Sequence, residues 1–166
     1  MEADIFLRNI VKLEKSAKAT LVENGDAAAR VNNVLEVDID KNAIFNHLRV
    51  QGRDKSCVLL NHIFSRQASD SIFRSFTTTL NGSVVRNEIY SILAGVEAKL
   101  SVSGAVIGNG NSFHHDDTIF INHKAENCQS RQIFKKVLKE GSTGVFQGKI
   151  LVDDVAQKTD GYQISK

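Results

Sequence analysis

The densest group of side chains that could do chemistry is the run of four consecutive residues His114, His115, Asp116 and Asp117. If this run lies in a strand, His114 and Asp116 share one face while His115 and Asp117 share the other. An imidazole and a carboxylate on one face could hold a divalent metal, provided that other segments supply further ligands. The alternative is a polar turn that leads into residues 118–121. We favour the turn and predict neither a metal ligand nor a catalytic residue here.

A second group consists of His123, Cys128 and Ser130. A cysteine near a histidine could form a nucleophilic pair or a soft-metal site. The five-residue separation does not ensure contact, however, and no nearby motif indicates an oxyanion hole. We therefore interpret Cys128 as a small, half-buried core residue.

A third group is the basic run Arg131, Lys135, Lys136 and Lys139. Such a run could meet an acidic partner or a phosphate, but it is more often a solvated face, and we favour that interpretation. No phosphate-binding loop and no hydrolase or metalloprotease motif occurs in the sequence. The residues therefore predict no catalytic site and no metal site, and they leave any cofactor-binding residues undetermined.

Composition indicates an ordered cytoplasmic protein. The 166 residues include 21 basic and 19 acidic side chains, a balance that gives no reason to expect nucleic acid or an anionic membrane as partner. Hydrophobic residues make up 42% of the chain, which argues against disorder. No apolar run approaches the roughly 20 residues of a membrane span. The acidic start at 1–4 is unlike a secretory signal, and Cys57 and Cys128 lack the close spacing of a zinc site, so both are expected to be reduced thiols.

The hydrophobic pattern predicts many short strands. Leu35, Val37 and Ile39 alternate with Glu36 and Asp38, which is the period of a strand buried on one face. Alternation recurs in four further stretches, at 44–51, 58–64, 98–106 and 146–152. Turn-forming residues follow these stretches, and proline, which central strands exclude, is absent.

Two segments fit both a strand and a helix. Residues 9–22 could form one helical stripe, or two strands separated by a turn at 14–16, and we favour the strands. In residues 130–139, Ile133, Phe134, Val137 and Leu138 fit a helix as well as a buried strand. The sequence leaves the second segment open.

Small residues recur where a turn leads into a strand. These residues are Ala43, Ser71, Ala98, Cys128, Gly144 and Gln157. The longer spacings suit a coil of two strands and two turns, whose apolar face is covered only when coils stack. The alternative is an antiparallel sandwich with hairpins at three Asn-Gly pairs, Asn24-Gly25, Asn81-Gly82 and Asn109-Gly110. Spacing alone thus predicts a β-rich domain, with stacked coils slightly favoured.

Several short motifs, in order, resemble a known family. They are Arg8–Val11, Arg74–Phe76, Leu80–Gly82, Arg86-Asn87, Asp117-Thr118, Asn122–Ala125, Ser130–Gln132, Gly144–Ile150 and Ala156–Asp160. Together they resemble the core of the SufB/SufD family, the scaffold subunits of the Suf iron–sulfur cluster assembly machinery. Cys128–Gln132 is more similar to SufD than to SufB.

The resemblance implies an all-β chain folded as a right-handed parallel β-helix, in one core domain over 1–166. It implies a non-enzymatic, SufD-like scaffold that works with SufB and SufC proteins in the cytoplasm. An iron–sulfur cluster would belong to the assembled complex. We expect the chain to be a truncated core without the family's flanking helical regions or its later Cys-x-His-Gly segment, so no cluster ligand is carried over. The terminal strands of such a core are expected to self-associate.

The alternative function is a lyase-like β-helix enzyme that acts on carbohydrate. Such an enzyme needs carboxylates or a metal that converge on one face. The candidates are His114, His115, Asp116, Asp117 and Glu97. Because nothing in the sequence brings them together, we favour the scaffold.

Overall fold

The chain forms two parallel β-sheets that share its strands alternately. The computed structural model describes residues 4–25, 28–52 and 54–166, and within these ranges every regular element is a strand. The strands are β1 (Asp4–Leu13), β2 (Lys18–Asn24), β3 (Arg30–Ile39), β4 (Ile44–Gln51), β5 (Val58–Gln67), β6 (Ile72–Thr79), β7 (Val84–Leu93), β8 (Lys99–Asn109), β9 (His114–His123), β10 (Gln129–Lys139), β11 (Thr143–Val152) and β12 (Asp160–Ser165). No helix long and apolar enough to cross a membrane occurs in these ranges.

Odd-numbered strands form one six-stranded sheet, in the order β1-β3-β5-β7-β9-β11, which we call the odd sheet. Even-numbered strands form the second, the even sheet, in the order β12-β10-β8-β6-β4-β2. One coil is an odd strand followed by the next even strand, so the chain winds as a β-solenoid of about six turns. The parallel β-helix is confirmed. The antiparallel sandwich is wrong, because all strand pairs among the described residues run in the same direction.

The apolar core consists of like residues stacked in register. Leu35 pairs with Ile63, Ile63 with Ile89, and Ile89 with Ile119, and all four are buried. In the even sheet the rings of Phe45 and Phe73 stack with their centroids 5.6 Å apart. Each coil therefore covers the apolar face of the next, as the spacing predicted.

The turns from odd to even strands stack in the same way. Each turn contains a residue with a positive φ between 57° and 62°: Ser16, Asn42, Asp70, Glu97, Asn127 and Lys158. The backbone N–H of that residue donates to the turn of the next coil, as from Asn42 to Ser69 O (3.0 Å) and from Glu97 to Glu126 O (3.1 Å). These bonds continue the backbone ladder through the turns, so the turns tie adjacent coils together.

The predicted repeat of small residues follows this turn. Ala43, Ser71, Ala98 and Cys128 each come directly after the positive-φ residue and are fully buried. The other two members lie elsewhere, since Gly144 is the second residue of β11, after an even-to-odd bend, and Gln157 directly precedes Lys158. The glycines of the Asn-Gly pairs have positive φ at the other bend, where an even strand leads to the next odd strand.

Both ambiguous segments are strands. Residues 9–22 belong to β1 and β2, with the predicted turn between them. Residues 130–139 belong to β10, which pairs with β8 on one side and β12 on the other. The helical alternative for 130–139 is wrong, because the neighbouring strands hold the backbone of β10 in an extended conformation.

We predict that Gly95→Ala destabilises the solenoid. A Cβ at Gly95 would overlap the backbone of Ala68 and Ser69 in the turn of the preceding coil. Because backbone cannot move aside as a flexible side chain can, we expect a loss of roughly 1–3 kcal/mol in the free energy of unfolding. Val96→Ala is the control, since Val96 lies in the same turn and is 44% exposed. Urea unfolding measures both, and equal midpoints would contradict close packing of the turns.

Candidate functional site: a buried polar column

Polar side chains form a buried column that runs through successive coils of the solenoid. Asn33, Asn61, Asn87 and Asp117 are stacked in register on β3, β5, β7 and β9, and all four are buried. The even sheet and β9 supply the groups that they meet: Glu23, His47, Arg49, Gln51, Thr79, His115 and Lys136. We call these eleven residues the polar column.

Amide groups connect its middle. Asn61 donates to Gln51 Oε1 (2.9 Å) and to Asn87 Oδ1 (3.1 Å). Gln51 donates to Thr79 Oγ1 and to Asn87 Oδ1, both at 3.0 Å. Asn87 in turn donates to Asp117 Oδ1 (3.0 Å). Because an amide both donates and accepts, adjacent coils remain bonded through their side chains in the absence of solvent.

The carboxylate of Glu23 forms the first charged end of the column. It accepts hydrogen bonds from Arg49 Nε (2.8 Å) and Asn33 Nδ2 (3.0 Å), and it lies 2.7 Å from His47 Nε2. Burial alone would raise the pKa of Glu23, but the hydrogen bond from His47 and the charge of Arg49 outweigh it and lower the pKa to about 2. Glu23 is therefore ionised at neutral pH.

His47 links this carboxylate to a serine. Burial lowers the pKa of His47, so the ring is neutral at neutral pH. Its Nε2–H then donates to Glu23, and its Nδ1 accepts from the hydroxyl of Ser75 (2.9 Å). This hydroxyl–imidazole–carboxylate order is that of a nucleophilic triad. Ser75 and His47 are only 3% and 1% exposed, however, so the serine hydroxyl is buried.

A second ion pair forms the other charged end. Lys136 Nζ lies 3.0 Å from Asp117 Oδ2, and the two side chains are only 7% and 2% exposed. Lys136 also donates to the carbonyl of Val145 and lies 3.4 Å from His115 Nδ1. Burial lowers the pKa of His115 to about 4 despite the opposing charge of Asp117. The neutral ring can therefore accept from Lys136 and donate through Nε2 to Thr79 (3.3 Å).

The four-residue run divides between the two faces of β9. His115 and Asp117 face inward and join the polar column, while His114 and Asp116 face outward. The predicted polar turn is wrong, because the strand begins at His114. Glu97 lies in an odd-to-even turn, apart from both faces of β9. The carboxylates proposed for a carbohydrate enzyme therefore do not converge, and the described ranges contain no group of three potential metal ligands.

The structure separates Cys128 from the pair that His123 and Ser130 form. His123 Nε2 lies 2.8 Å from Ser130 Oγ, and both residues are buried. Cys128 instead donates to the carbonyl of Gly95 (3.2 Å) in the preceding coil. Burial raises the pKa of its thiol, which disfavours the thiolate that nucleophilic attack or metal binding needs. The core interpretation of Cys128 is supported, with full rather than half burial.

The residues of the basic run lie on both faces of β10, because successive side chains of a strand point to opposite faces. Arg131, Lys135 and Lys139 face outward from β10, as a solvated face requires, but Lys136 faces inward. The sequence did not lead us to predict that the asparagines of the column face the interior. Asn33, Asn61 and Asn87 recur at the period of the coil, and this repetition of one polar residue was the signal that could have revealed them.

The sequence is similar to known proteins. A family model described as "SUF system FeS cluster assembly, SufBD core domain" matches residues 2–166. The Escherichia coli K12 protein "Iron-sulfur cluster assembly protein SufD" is 26% identical over 162 residues, which cover 93% of this chain and 37% of that protein. The chain therefore spans little more than a third of the length of this relative.

Breaking the buried ion pair should be costly. We expect Lys136→Met to lower the free energy of unfolding by roughly 3–5 kcal/mol, because it leaves the charge of Asp117 buried without a counter-charge. Lys135→Met is the matched control on the outer face of the same strand and should change stability by no more than about 0.5 kcal/mol. Chemical denaturation measures both variants.

A double variant separates loss of charge pairing from loss of packing. Combining Lys136→Met with Asp117→Asn removes both charges, and an asparagine at this position can still accept from Asn87. We expect the double variant to recover at least half of the lost stability. A double variant as unstable as Lys136→Met alone would show that packing of the lysine, and not its charge, stabilises the column.

Stability should fall with acid in two stages. His115 has a lower pKa in the folded chain, so the unfolded chain binds the proton first and stability falls as the pH drops from about 6.5 to 4. Glu23 also has a lower folded pKa, and its contribution is lost as the pH drops from about 4.5 to 2. We expect His115→Gln to reduce the slope of unfolding free energy against pH in the first range by up to about 1.4 kcal/mol per pH unit. A vertical offset with an unchanged slope would contradict the assignment to His115.

Proposed function

This chain belongs to the SufBD core domain family of the SUF system, and from that membership we propose that it acts as a SufD-like, non-catalytic scaffold subunit of an iron–sulfur cluster assembly complex. A role in iron–sulfur cluster assembly follows from the family and from the relative. The observation that carries the finer proposal is the family match over 2–166, a range that includes all strands from β1 to β12.

The chemistry of the interior supports a scaffold. The charged groups of the polar column are paired with one another, and Ser75 beside His47 is closed off from solvent. Cys57 and Cys128 are both buried, and the pKa of the Cys128 thiol is raised by burial. Ligands for a cluster would therefore come from other parts of the complex, and this domain would position them.

The partners in this proposal are SufB and SufC proteins, and the compartment is the cytoplasm. The partners and the compartment are both carried over from the family. They belong to this proposal because the chain corresponds to only 37% of the length of its SufD relative. Self-association of the chain through its outermost strands stays a prediction.

Exchange of the solenoid between relatives tests the proposal. The segment of E. coli SufD that aligns with this chain is replaced by residues 2–166, and the chimera is co-expressed with tagged SufB and with SufC in cells that lack SufD. We expect the chimera to co-purify with SufB and SufC and to restore the activity of an iron–sulfur enzyme. Intact SufD and the empty vector are the controls. A folded chimera that neither joins the complex nor restores activity would contradict the scaffold.

A further inference from the structure

The outer face of the even sheet carries an uncompensated positive charge. Its outward-facing cations are Lys18, Arg74, Lys99, Arg131, Lys135 and Lys139. All residues of these six strands are described, and their single outward carboxylate is Asp160, which pairs with Arg131 at 3.1 Å. The remaining cations have no ion-pair partner within the described part of the chain, although Arg74 donates to Asn46.

The odd sheet shows that this imbalance is local. Its outer face also carries many charges, but most of the cations are neutralised there. Arg8 pairs with Glu36 at 2.8 Å, and Arg86 pairs with Glu88 at 2.6 Å. Arg30 likewise pairs with Asp4. The two faces of one solenoid are therefore electrostatically different although the net charge is only +2.

A groove runs along β8 within the cationic face. The outward residues of β8 are small at Ser101, Ser103 and Ala105. Larger side chains flank them on both sides, since Ser103 lies in register between Phe76 on β6 and Ile133 on β10. Two cavities, of about 170 Å³ and about 440 Å³, both include Arg74 and Ser101 in their lining. From Ser101 to Ala105 the floor extends about 13 Å, the length of about four extended residues.

The walls of the groove combine cations with apolar groups. On one side Arg74 lies two residues from Phe76, which is 40% exposed. On the other side Arg131 and Lys135 flank Ile133, which is 39% exposed. Every second residue of a strand points outward, and on β6 and β10 these outward residues are charged and apolar in turn. A ligand that satisfies both must present carboxylates and apolar side chains in turn.

We propose that this groove binds an extended segment of a partner protein in which acidic and apolar residues alternate. A strand-like segment matches the length of the floor, its carboxylates match the unpaired cations Arg74 and Lys135, and its apolar side chains cover Phe76 and Ile133. The few aromatic rings of this face, Phe76 and Tyr162, are unlike the rows of rings in nucleic-acid grooves that stack successive bases. The inference rests on this face alone and does not depend on the scaffold proposal.

A labelled peptide tests the groove directly. The probe is a fluorescent peptide of about eight residues in which glutamate and leucine alternate, titrated with the 166-residue chain and followed by anisotropy. We expect saturable binding that is lost when glutamine replaces glutamate in the peptide. Arg74→Glu combined with Lys135→Glu should weaken binding at least about tenfold, because two attractive contacts become repulsive.

Two further variants distinguish the groove from general charge. Ser103→Tyr fills the floor without changing the charge, suits a strand, and should weaken binding several-fold. Arg66→Glu combined with Lys149→Glu makes the same charge change on the odd sheet and should leave binding unaltered. Urea midpoints confirm that each variant is folded.

The outcomes decide the proposal. It is supported if only the even-sheet variants lose affinity. It is overturned if the peptide shows no saturable binding, or if the odd-sheet variant loses as much. Tighter binding of an oligothymidylate, or of vesicles that contain phosphatidylserine, would likewise overturn it in favour of nucleic acid or membrane.

Discussion

In-register parallel stacking is the constraint on which the rest of this structure depends. Each residue lies above its counterpart one coil earlier. An inward side chain of one coil must therefore pack against, or hydrogen-bond to, the inward side chain at the same position in the next coil. Leucine and isoleucine meet this condition by packing, as in the ladder from Leu35 to Ile119. The turns meet it with backbone hydrogen bonds at each positive-φ residue. A substitution that adds a Cβ at Gly95 therefore disturbs the backbone of the neighbouring coil.

The polar column meets the same condition in a different way. Buried amides and ion pairs contribute little net stability compared with a well-packed apolar core, but they are costly when left unpaired. Asn61 and Asn87 find their partners only in one register, since a slip of one residue would turn every inward side chain outward. Our hypothesis is that the column selects the register, while the apolar ladders supply most of the stabilisation.

The sequence predicted the strands and the stacking but not the content of the interior. Alternation at 35–39 predicted strands, and the recurrence of Ala43, Ser71, Ala98 and Cys128 slightly favoured a coil of two strands. Residues 130–139 stayed open because a strand and a helix can both bury Phe134, and only pairing with β8 and β12 decides between them. Lys136 was placed on a solvated face because buried lysines are rare, and its partner Asp117 is distant in sequence.

A solenoid whose buried charges pair with one another leaves its outer faces free to take different partners. The charges of the polar column are neutralised by one another, so they place no constraint on the outward residues of the same strands. On the outer face of the odd sheet, Arg8 and Arg86 are paired with carboxylates. The outer face of the even sheet instead exposes Arg74 and Lys135 beside apolar side chains. Since both faces are fixed by the same ladders, a partner on each would be held at a defined orientation. That geometry is what a domain needs if its contribution is to position other subunits rather than to perform chemistry.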